Sequence, residues 1–231
     1  MTGTSRQALV IGASRGLGLG LVRELLAHGW DVTATERRRS EALHALRDEA
    51  GDRLSLDTVD VDRPEQVDEL RRRLGDRRFD LLFVNAGVLG SGSKTISEIT
   101  HEQFVREMTT NAFSPVRLAD VMRELVAPGG TIGFMSSQLA SITNNTSGGN
   151  ELYRASKAAL NMLVRSFFAR LPAGSATVLL LHPGWVRTEM GGPNADIDVE
   201  TSTRGLAEVI DARHGRGGLA FLDYQGRELP W

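Results

Sequence analysis

Short hydrophobic runs alternate with amphipathic segments along the whole chain of 231 residues. Seven of these runs stand out, at positions 8–11, 32–35, 54–59, 81–84, 131–135, 177–181 and 219–222. Such short continuous runs are typical of strands buried on both faces, as in a parallel sheet covered by helices. Between them, spacings such as Leu17, Leu21 and Leu25 indicate helices. The alternation predicts an α/β fold with a doubly wound, mostly parallel, seven-stranded sheet and helices on both faces.

Composition and charge narrow the class of protein. The chain has 27 basic and 29 acidic residues and a net charge of −2, so no broad electrostatic footprint for nucleic acid or an anionic membrane is expected. It has no cysteine, which excludes disulfides and thiolate chemistry. No apolar stretch approaches a spanning helix and no linker is evident, so we expect a single soluble, cytoplasmic domain over residues 1–231. The five histidines show no ligand spacing, and no metal site is predicted.

A glycine-rich turn follows the first predicted strand. Gly12, Gly16 and Gly18 have the spacing G-x-x-x-G-x-G, with Ser14, Arg15 and Leu17 between them, and a helical pattern follows. Glycines allow a tight turn and the close approach of a phosphate to the helix N-terminus, where free N–H groups and the helix dipole attract anions. The turn therefore indicates a dinucleotide-binding site.

The same residues allow a second interpretation. Residues 12–16 also fit G-x-S-x-G, the strand–turn–helix elbow that presents a hydrolase serine, here Ser14. His182 or His214 would then be the base. This interpretation is less favoured, because the serine follows the very first strand and Gly18 has no role in an elbow.

Tyr153 and Lys157 are four residues apart in a predicted helix and therefore lie on one face. Lys157 is one of only two lysines, beside Lys94, in a chain that otherwise uses arginine. A neighbouring ammonium is expected to lower the pKa of the phenol and so favour proton transfer. Ser136 and Ser137 end the strand predicted at 131–135, at the sheet edge where ligands bind, and a serine hydroxyl there suits a substrate carbonyl.

A series of motifs along the whole chain resembles the short-chain dehydrogenase/reductases (SDRs) of the classical type: Gly12, Gly16 and Gly18, then Asn85-Ala86-Gly87, Ser137, Tyr153 with Lys157, and Pro183-Gly184. The segment from Ser136 to Tyr153 and the ending Pro230-Trp231 are similar to the C-factor and sniffer-like carbonyl reductase branch. The resemblance implies a single-domain Rossmann fold, with a cofactor half at about 1–130 and a catalytic and substrate half at about 131–231.

The resemblance also implies roles for individual residues. Tyr153 would be the proton donor or acceptor, Lys157 would lower its pKa and bind the nicotinamide ribose, and Ser137, with Ser136 as the lesser candidate, would bind the substrate oxygen. Asn111 would hold the water of a proton relay. The cofactor would be bound by Gly12, Ser14, Arg15, Gly16, Leu17, Gly18, Arg37, Asp60, Val61, Asn85, Ala86, Gly87, Tyr153, Lys157, Pro183, Gly184, Val186 and Thr188.

The choice of cofactor depends on charge after the second strand. Arg15 and Arg37 suit the 2′-phosphate of NADP(H), whereas Glu36 lies where users of NAD(H) carry an acid for the ribose hydroxyl. NADP(H) is predicted as the preferred cofactor, and use of NAD(H) stays open because of Glu36.

The predicted function is hydride transfer between NADP(H) and a carbonyl or alcohol substrate, with Tyr153 as the general acid or base. The alternative is a dinucleotide-binding regulatory or signalling protein that does not catalyse a reaction. Residues 141–151 and 191–200 are the expected walls of a small-molecule substrate site. The resemblance implies a homodimer or homotetramer that pairs through the helices containing Asn111 and Tyr153.

Overall fold

A computed structural model describes residues 5–92, 94–174 and 176–231. Its one sheet has seven parallel strands in the order β3-β2-β1-β4-β5-β6-β7. The strands are β1 Gln7–Ile11, β2 Asp31–Glu36, β3 Leu54–Thr58, β4 Phe79–Val84, β5 Val126–Met135, β6 Thr177–His182 and β7 Gly218–Asp223. All seven hydrophobic runs form strands, and the predicted doubly wound sheet is confirmed. Strand β5 begins five residues before its hydrophobic run, and β3 ends one residue earlier than predicted.

Seven α-helices connect the strands: α1 Gly16–Ala27, α2 Glu41–Ala50, α3 Pro64–Leu74, α4 His101–Met108, α5 Ser114–Met122, α6 Glu151–Arg170 and α7 Val199–Arg213. Helices α4 and α5 are joined by a π-helical segment, Thr109–Phe113, without a break in the helical path. Short 3₁₀ turns lie at Gly51–Arg53, Ile96–Glu98, Arg123–Leu125 and Gln138–Ala140. In the described part of the chain, no helix has both the length and the apolar character needed to cross a membrane.

The sheet separates two hydrophobic cores. Because successive side chains of a strand point to opposite faces, Leu9 joins the core beneath α3, α5 and α6, whereas Val10 joins the core beneath α1, α2 and α7. Both residues are fully buried. This burial on both faces explains why the strands read as continuous hydrophobic runs.

The order of the strands opens a crevice at the centre of the sheet. The chain leaves β1 toward one face and β4 toward the other, so the connections after these neighbouring strands diverge. In doubly wound sheets ligands bind at this point, beyond the carboxyl ends of the strands. The glycine turn after β1 and the run Asn85-Ala86-Gly87 after β4 lie on its two sides.

Candidate active site

The glycine turn brings backbone atoms very close together. Gly12 and Gly16 have φ angles of +84° and +53°, which favour glycine. A Cβ on Gly18 would lie 2.1 Å from the Gly12 carbonyl oxygen, and the Asn85 side-chain amide donates a hydrogen bond of 2.8 Å to that same oxygen. Ala86 closes the other side, with its backbone nitrogen 3.2 Å from a Cβ placed on Gly12. These contacts explain the spacing of the glycines and fit a turn that holds a phosphate group.

The turn is also fastened to the second strand. Gly12 N–H donates to the hydroxyl of Thr35 (3.1 Å) and Ala13 N–H to its carbonyl (2.8 Å). The Ser40 hydroxyl donates to the Ser14 carbonyl (2.5 Å), which ties the turn to the start of α2. Thr35 is a functional position that the sequence analysis missed, since a threonine inside a hydrophobic run reads as an ordinary strand residue.

The hydrolase interpretation does not fit this geometry. His214 follows α7 and its Nδ1 lies 3.2 Å from the hydroxyl of Thr131, at the amino end of the paired part of β5. Ser14 lies at the carboxyl ends of the strands, on the opposite edge of the sheet. His182 is at the carboxyl edge, but within the described residues no hydrogen bond joins it to Ser14, and it is paired in the sheet with Asp223.

Glu36 has both carboxylate oxygens occupied. Oε2 accepts the Ser40 N–H at 2.6 Å, and Oε1 lies 2.7 Å from His44 Nε2. Arg39 donates to the other ring nitrogen of His44 at 2.9 Å, so the proton of a neutral ring is on Nε2 and points at Glu36. The residue Glu36 is only 5% exposed. The sequence alone did not reveal these partners of Glu36, because the contact with His44 joins β2 to α2.

Basic residues line the cavity next to Glu36. A cavity of about 550 Å³ is bounded by Arg37, Arg38, Thr58, Asp60, Gln66 and Arg106. Asp60 N–H donates to the Gln66 side chain at 2.8 Å, which fixes the bend after β3. Arg106, on α4, was not among the predicted residues, because nothing in its local sequence places it beside Arg37. Arg15, which was predicted for the same site, is exposed and forms an ion pair with Glu189.

Two predicted residues contribute mainly to the cores. Leu17 packs against the core of α1, α2 and α7, and Val61 packs against the opposite core. Their side chains are only partly buried. Leu17 and Val61 would therefore contribute to core packing as well as to any contact with a cofactor.

The strand β5 ends in two serines with different partners. The Ser136 hydroxyl donates to the Asn161 side chain at 2.7 Å. Ser137 begins the 3₁₀ turn Gln138–Ala140, its hydroxyl accepts the Leu139 N–H at 3.1 Å, and it lies near enough to Tyr153 to lower the pKa of that phenol. Ser137, rather than Ser136, therefore adjoins the phenol.

Tyr153 and Lys157 lie together near the start of α6. The Lys157 ammonium is 5.9 Å from the centre of the Tyr153 ring and donates to the Met135 carbonyl at 2.9 Å. Burial raises the pKa of Tyr153 to about 12, and the neighbouring Ser137 hydroxyl offsets part of that rise. Burial also lowers the pKa of Lys157 to about 8. Contrary to the expected lowering of the phenol pKa by Lys157, burial has the largest effect, and the phenol is the neutral, proton-donating form at neutral pH.

Asn111 lies in the π-helical segment, fully buried. Its side chain accepts the Val88 N–H (2.7 Å) and donates to the Val88 carbonyl (2.8 Å) and to the Ser156 hydroxyl (3.0 Å). A Cβ on Gly87 would lie 3.4 Å from both Asn111 Oδ1 and Lys157 Nζ. Asn111 therefore connects the loop after β4 to the helix that carries Tyr153 and Lys157.

The segment after β6 faces the glycine turn. Gly184 has φ +85°, and a Cβ there would lie 2.7 Å from Ile197, which forms a bridge with Val186. The Pro183 carbonyl accepts a hydrogen bond from the Ser202 hydroxyl (2.6 Å). The Thr188 methyl group is 3.8 Å from a Cβ placed on Gly16. The predicted segment thus completes one continuous wall of the crevice.

The site has the parts that a dinucleotide needs: a glycine cradle, basic residues beyond β2, and a hydroxyl, phenol and ammonium side by side at the same sheet edge. Residues 6–197 match the family model for short chain dehydrogenases. The chain belongs to this family of NAD(P)-dependent oxidoreductases, as the sequence resemblance implied.

The relatives include the C-signal protein of Myxococcus xanthus, 42% identical over 66% of this chain and 92% of that protein. A carbonyl reductase from Pseudomonas aeruginosa, solved in complex with NADP, is 43% identical with a TM-score of 0.92, covering 99% of this chain and all of the other. The carbonyl reductase Sniffer of D. melanogaster is 31% identical with a TM-score of 0.88, covering 98% of this chain and all of the other. The similarity to the sniffer-like branch is confirmed.

Proposed function

We propose that this protein is an NADPH-dependent carbonyl reductase in which Tyr153 donates the proton to the substrate oxygen. The observation that carries the proposal is the meeting of Ser137, Tyr153 and Lys157 at the carboxyl edge of the sheet, beside the glycine turn. The NADP-bound carbonyl reductase from P. aeruginosa, which shares this fold at 43% identity, supports the choice of reaction.

Each residue has a separate task in this proposal. The Ser137 hydroxyl donates a hydrogen bond to the carbonyl oxygen of the substrate and shares the charge that develops there. Tyr153, neutral at physiological pH, transfers its proton to that oxygen as the carbonyl is reduced. Positioned proton transfer of this kind contributes about 10²–10⁴ in rate. Lys157 stabilises the phenolate left behind, and Asn111 anchors the loop that covers Lys157.

The cofactor would be held by the first half of the chain and the substrate by the second. Gly12, Gly16 and Gly18 would hold the diphosphate, Asn85 and Gly87 the adjoining ribose region, and residues 183–188 the nicotinamide end. Bound NADPH supplies the hydride for the carbonyl carbon. Residues 141–151 and 191–200 would form the substrate walls.

NADP(H) is the proposed cofactor because the positively charged side chains beyond β2 favour its additional 2′-phosphate. The carboxylate of Glu36 is occupied by Ser40 and His44, while Arg37, Arg38 and Arg106 line the neighbouring cavity. The solved structures of the similar P. aeruginosa carbonyl reductase with NADP bound support the same choice.

Titration with NADPH and with NADH, followed by nicotinamide fluorescence, tests this preference. We expect tighter binding of NADPH, and a 10- to 100-fold weaker NADPH affinity (about 1.5–3 kcal/mol) in Arg37→Ala, because a charge-assisted hydrogen bond to phosphate is lost. NADH affinity should stay within a fewfold. Arg72→Ala, an exposed change on α3, is the control. Equal loss of both affinities would contradict a role for Arg37 at the 2′-phosphate.

The substitution Tyr153→Phe tests the reductase function. It removes the proton donor and keeps the ring, so kcat/KM for a reducible aldehyde or ketone should fall at least about 100-fold while NADPH affinity changes little. Tyr224→Phe, the only other tyrosine, is the matched control. Unchanged turnover in Tyr153→Phe would rule out the proposed acid.

A signalling role is the second candidate, because the chain is 42% identical to the C-signal protein of M. xanthus. A protein that only binds the dinucleotide should keep its biological effect in Tyr153→Phe. A reductase should lose that effect together with its turnover.

The proposal also includes an oligomeric state and a cellular location. Exposed apolar side chains lie on the successive helices α4 to α6: Phe104 (43%), Val105 (47%), Phe113 (57%) and Met162 (65%). A patch of this kind supports a homodimer or homotetramer formed through these helices. A cytoplasmic location stays a prediction.

A further inference from the structure

Helix α4 buries one residue, and that residue is charged. Glu107 is only 1% exposed, whereas the apolar side chains of Phe104 and Val105 on the same helix are 43% and 47% exposed. Burial of a carboxylate is costly unless hydrogen bonds or an opposite charge compensate it. The position therefore calls for a specific partner.

One oxygen of Glu107 docks the loop after β4. Oε2 accepts the backbone N–H groups of Gly90 (3.1 Å) and Ser91 (3.0 Å). Four residues later, Asn111 makes its two hydrogen bonds with Val88. The loop 88–91 is thus attached at two points along one helical path.

The other oxygen of Glu107 has no such partner. Oε1 is buried and accepts no hydrogen bond from the residues that the structure describes. The two backbone donors are neutral, so they leave the net negative charge of the carboxylate uncompensated.

Lys157 likewise lacks a direct partner of opposite charge. Lys157 is only 3% exposed, and its ammonium donates its hydrogen bond of 2.9 Å to the neutral carbonyl of Met135. Among the described residues, neither Lys157 nor Glu107 takes part in an ion pair within 4 Å. Both are buried ions whose direct neighbours carry no opposite charge.

The two charges act on each other across the docked loop. Gly87, which precedes this loop, lies against Lys157 Nζ and Asn111 Oδ1. The field of Glu107 raises the pKa of Lys157 and opposes the effect of burial. The other titratable group beside Lys157 is Tyr153, and the pKa of this phenol is also raised by Glu107.

We propose that Glu107 is a positioning residue of the catalytic centre, which keeps the buried Lys157 ammonium charged and holds the loop 88–91 against it. This inference rests on the proposed function in that a charged Lys157 is needed for proton transfer by Tyr153. Glu107 would be a fifth polar residue of the site, beside Ser137, Tyr153, Lys157 and Asn111. It would touch neither the substrate nor the cofactor.

The substitution Glu107→Gln separates charge from shape. Glutamine has nearly the same shape and retains a carbonyl oxygen for Gly90 and Ser91, but it carries no charge. Lys157 should then lose its proton at lower pH than in the parent protein. Glu102→Gln, on an exposed position of the same helix, is the matched control and should have no effect.

The chain allows this titration to be observed at a single residue. It has two lysines, so Lys94→Arg leaves Lys157 as the only lysine, and biosynthetic labelling with ¹³C-lysine reports its protonation by NMR. We expect the midpoint of Lys157 to move to lower pH when Glu107→Gln is added to Lys94→Arg. An unchanged midpoint in a folded protein would overturn the proposal.

Enzyme kinetics give a second reading. The alkaline limb of kcat/KM for carbonyl reduction should move to lower pH in Glu107→Gln, and a move of half a unit lowers the rate about threefold on the steep part of the limb. A residue that only supported the fold would lower the rate without moving the limb. The NMR midpoint needs no turnover, so inactivity of the parent protein would reject the reductase function and leave the charge proposal to be judged on the midpoint.

A failure of Glu107→Gln to fold would also decide the matter. The cause would then be the Lys157 ammonium, which is buried without a compensating charge in this variant. Adding Lys157→Met should therefore restore cooperative unfolding. If the double variant stays unfolded, Glu107 supports the loop alone and its proposed electrostatic role is wrong.

Discussion

At the scale of single residues, His182 shows how burial sets a charge state. It ends β6, is 8% exposed, and its Nδ1 has no hydrogen-bond partner among the described residues. Burial lowers its pKa to about 4, against a smaller opposing effect of Asp223. The folded protein therefore holds this imidazole neutral where the unfolded chain would protonate it.

Acid should consequently destabilise the protein through His182. Its stabilising effect is present above the unfolded pKa of 6.5 and is lost as the pH falls toward 4, which amounts to at most about 3 kcal/mol. Urea unfolding at several pH values should show a smaller loss over this interval in His182→Asn. His101→Asn, an exposed change on α4, should retain the full pH dependence. Equal slopes in all three proteins would refute the assignment.

At the scale of elements, the glycine turn is the most constrained connection. Gly18→Ala would place a methyl group 2.1 Å from the Gly12 oxygen and 2.7 Å from the Asn85 amide nitrogen, so strand, turn and helix could not keep their positions. We expect a loss of about 1–3 kcal/mol in the free energy of unfolding.

The distorted turn should also bind NADPH much more weakly. Arg23→Ala, on the exposed side of the same helix, should change neither stability nor binding by comparable amounts. Calorimetric unfolding and fluorescence titration measure both quantities. Normal NADPH binding by Gly18→Ala would show that this close contact does not shape the cradle.

The sequence predicted these elements well where the cause is local. Hydrophobic runs located all seven strands, because the inner strands of the sheet are buried on both faces and burial there favours apolar residues. The glycine positions and the four-residue spacing of Tyr153 and Lys157 were also predictable, because a tight turn and one turn of a helix require them locally.

Features that depend on contacts between distant elements were not predictable. The segment Thr109–Phe113 reads as ordinary helix, yet Asp62 after β3 accepts hydrogen bonds from Thr110 (2.6 Å) and Ser114 (2.7 Å) and ties the π-helical segment to the sheet. The pairing of Glu36 with His44 has the same origin. Of these features, only the position of Glu107 has a signal in the sequence. It precedes Asn111 by four residues, so the two side chains lie on the same side of a helix.

At the scale of the whole molecule, the apolar patch on α4 to α6 predicts assembly. An aspartate at Met162, which is 65% exposed, would place a charge in a buried contact between copies. Analytical ultracentrifugation should find a dimer or tetramer for the parent protein and a shift toward monomer for Met162→Asp. Ile142→Asp, at a position 79% exposed but outside these helices, should keep the parent state. A monomeric parent at micromolar concentration would contradict the prediction.

The parallel sheet has a consequence for how the chain reaches this structure. Strand β1 pairs with β4, and Ile11 faces Val84 only after three complete strand–helix crossovers have been made. Every neighbouring pair of strands in the sheet requires such a crossover, and among the described residues no hairpin joins two strands of the sheet as an early, local nucleus. Contacts of this kind slow folding, because chain entropy is lost before long-range pairing compensates for it. On a ribosome, the middle of the sheet cannot close until the chain has emerged as far as Val84, which is more than a third of the polypeptide.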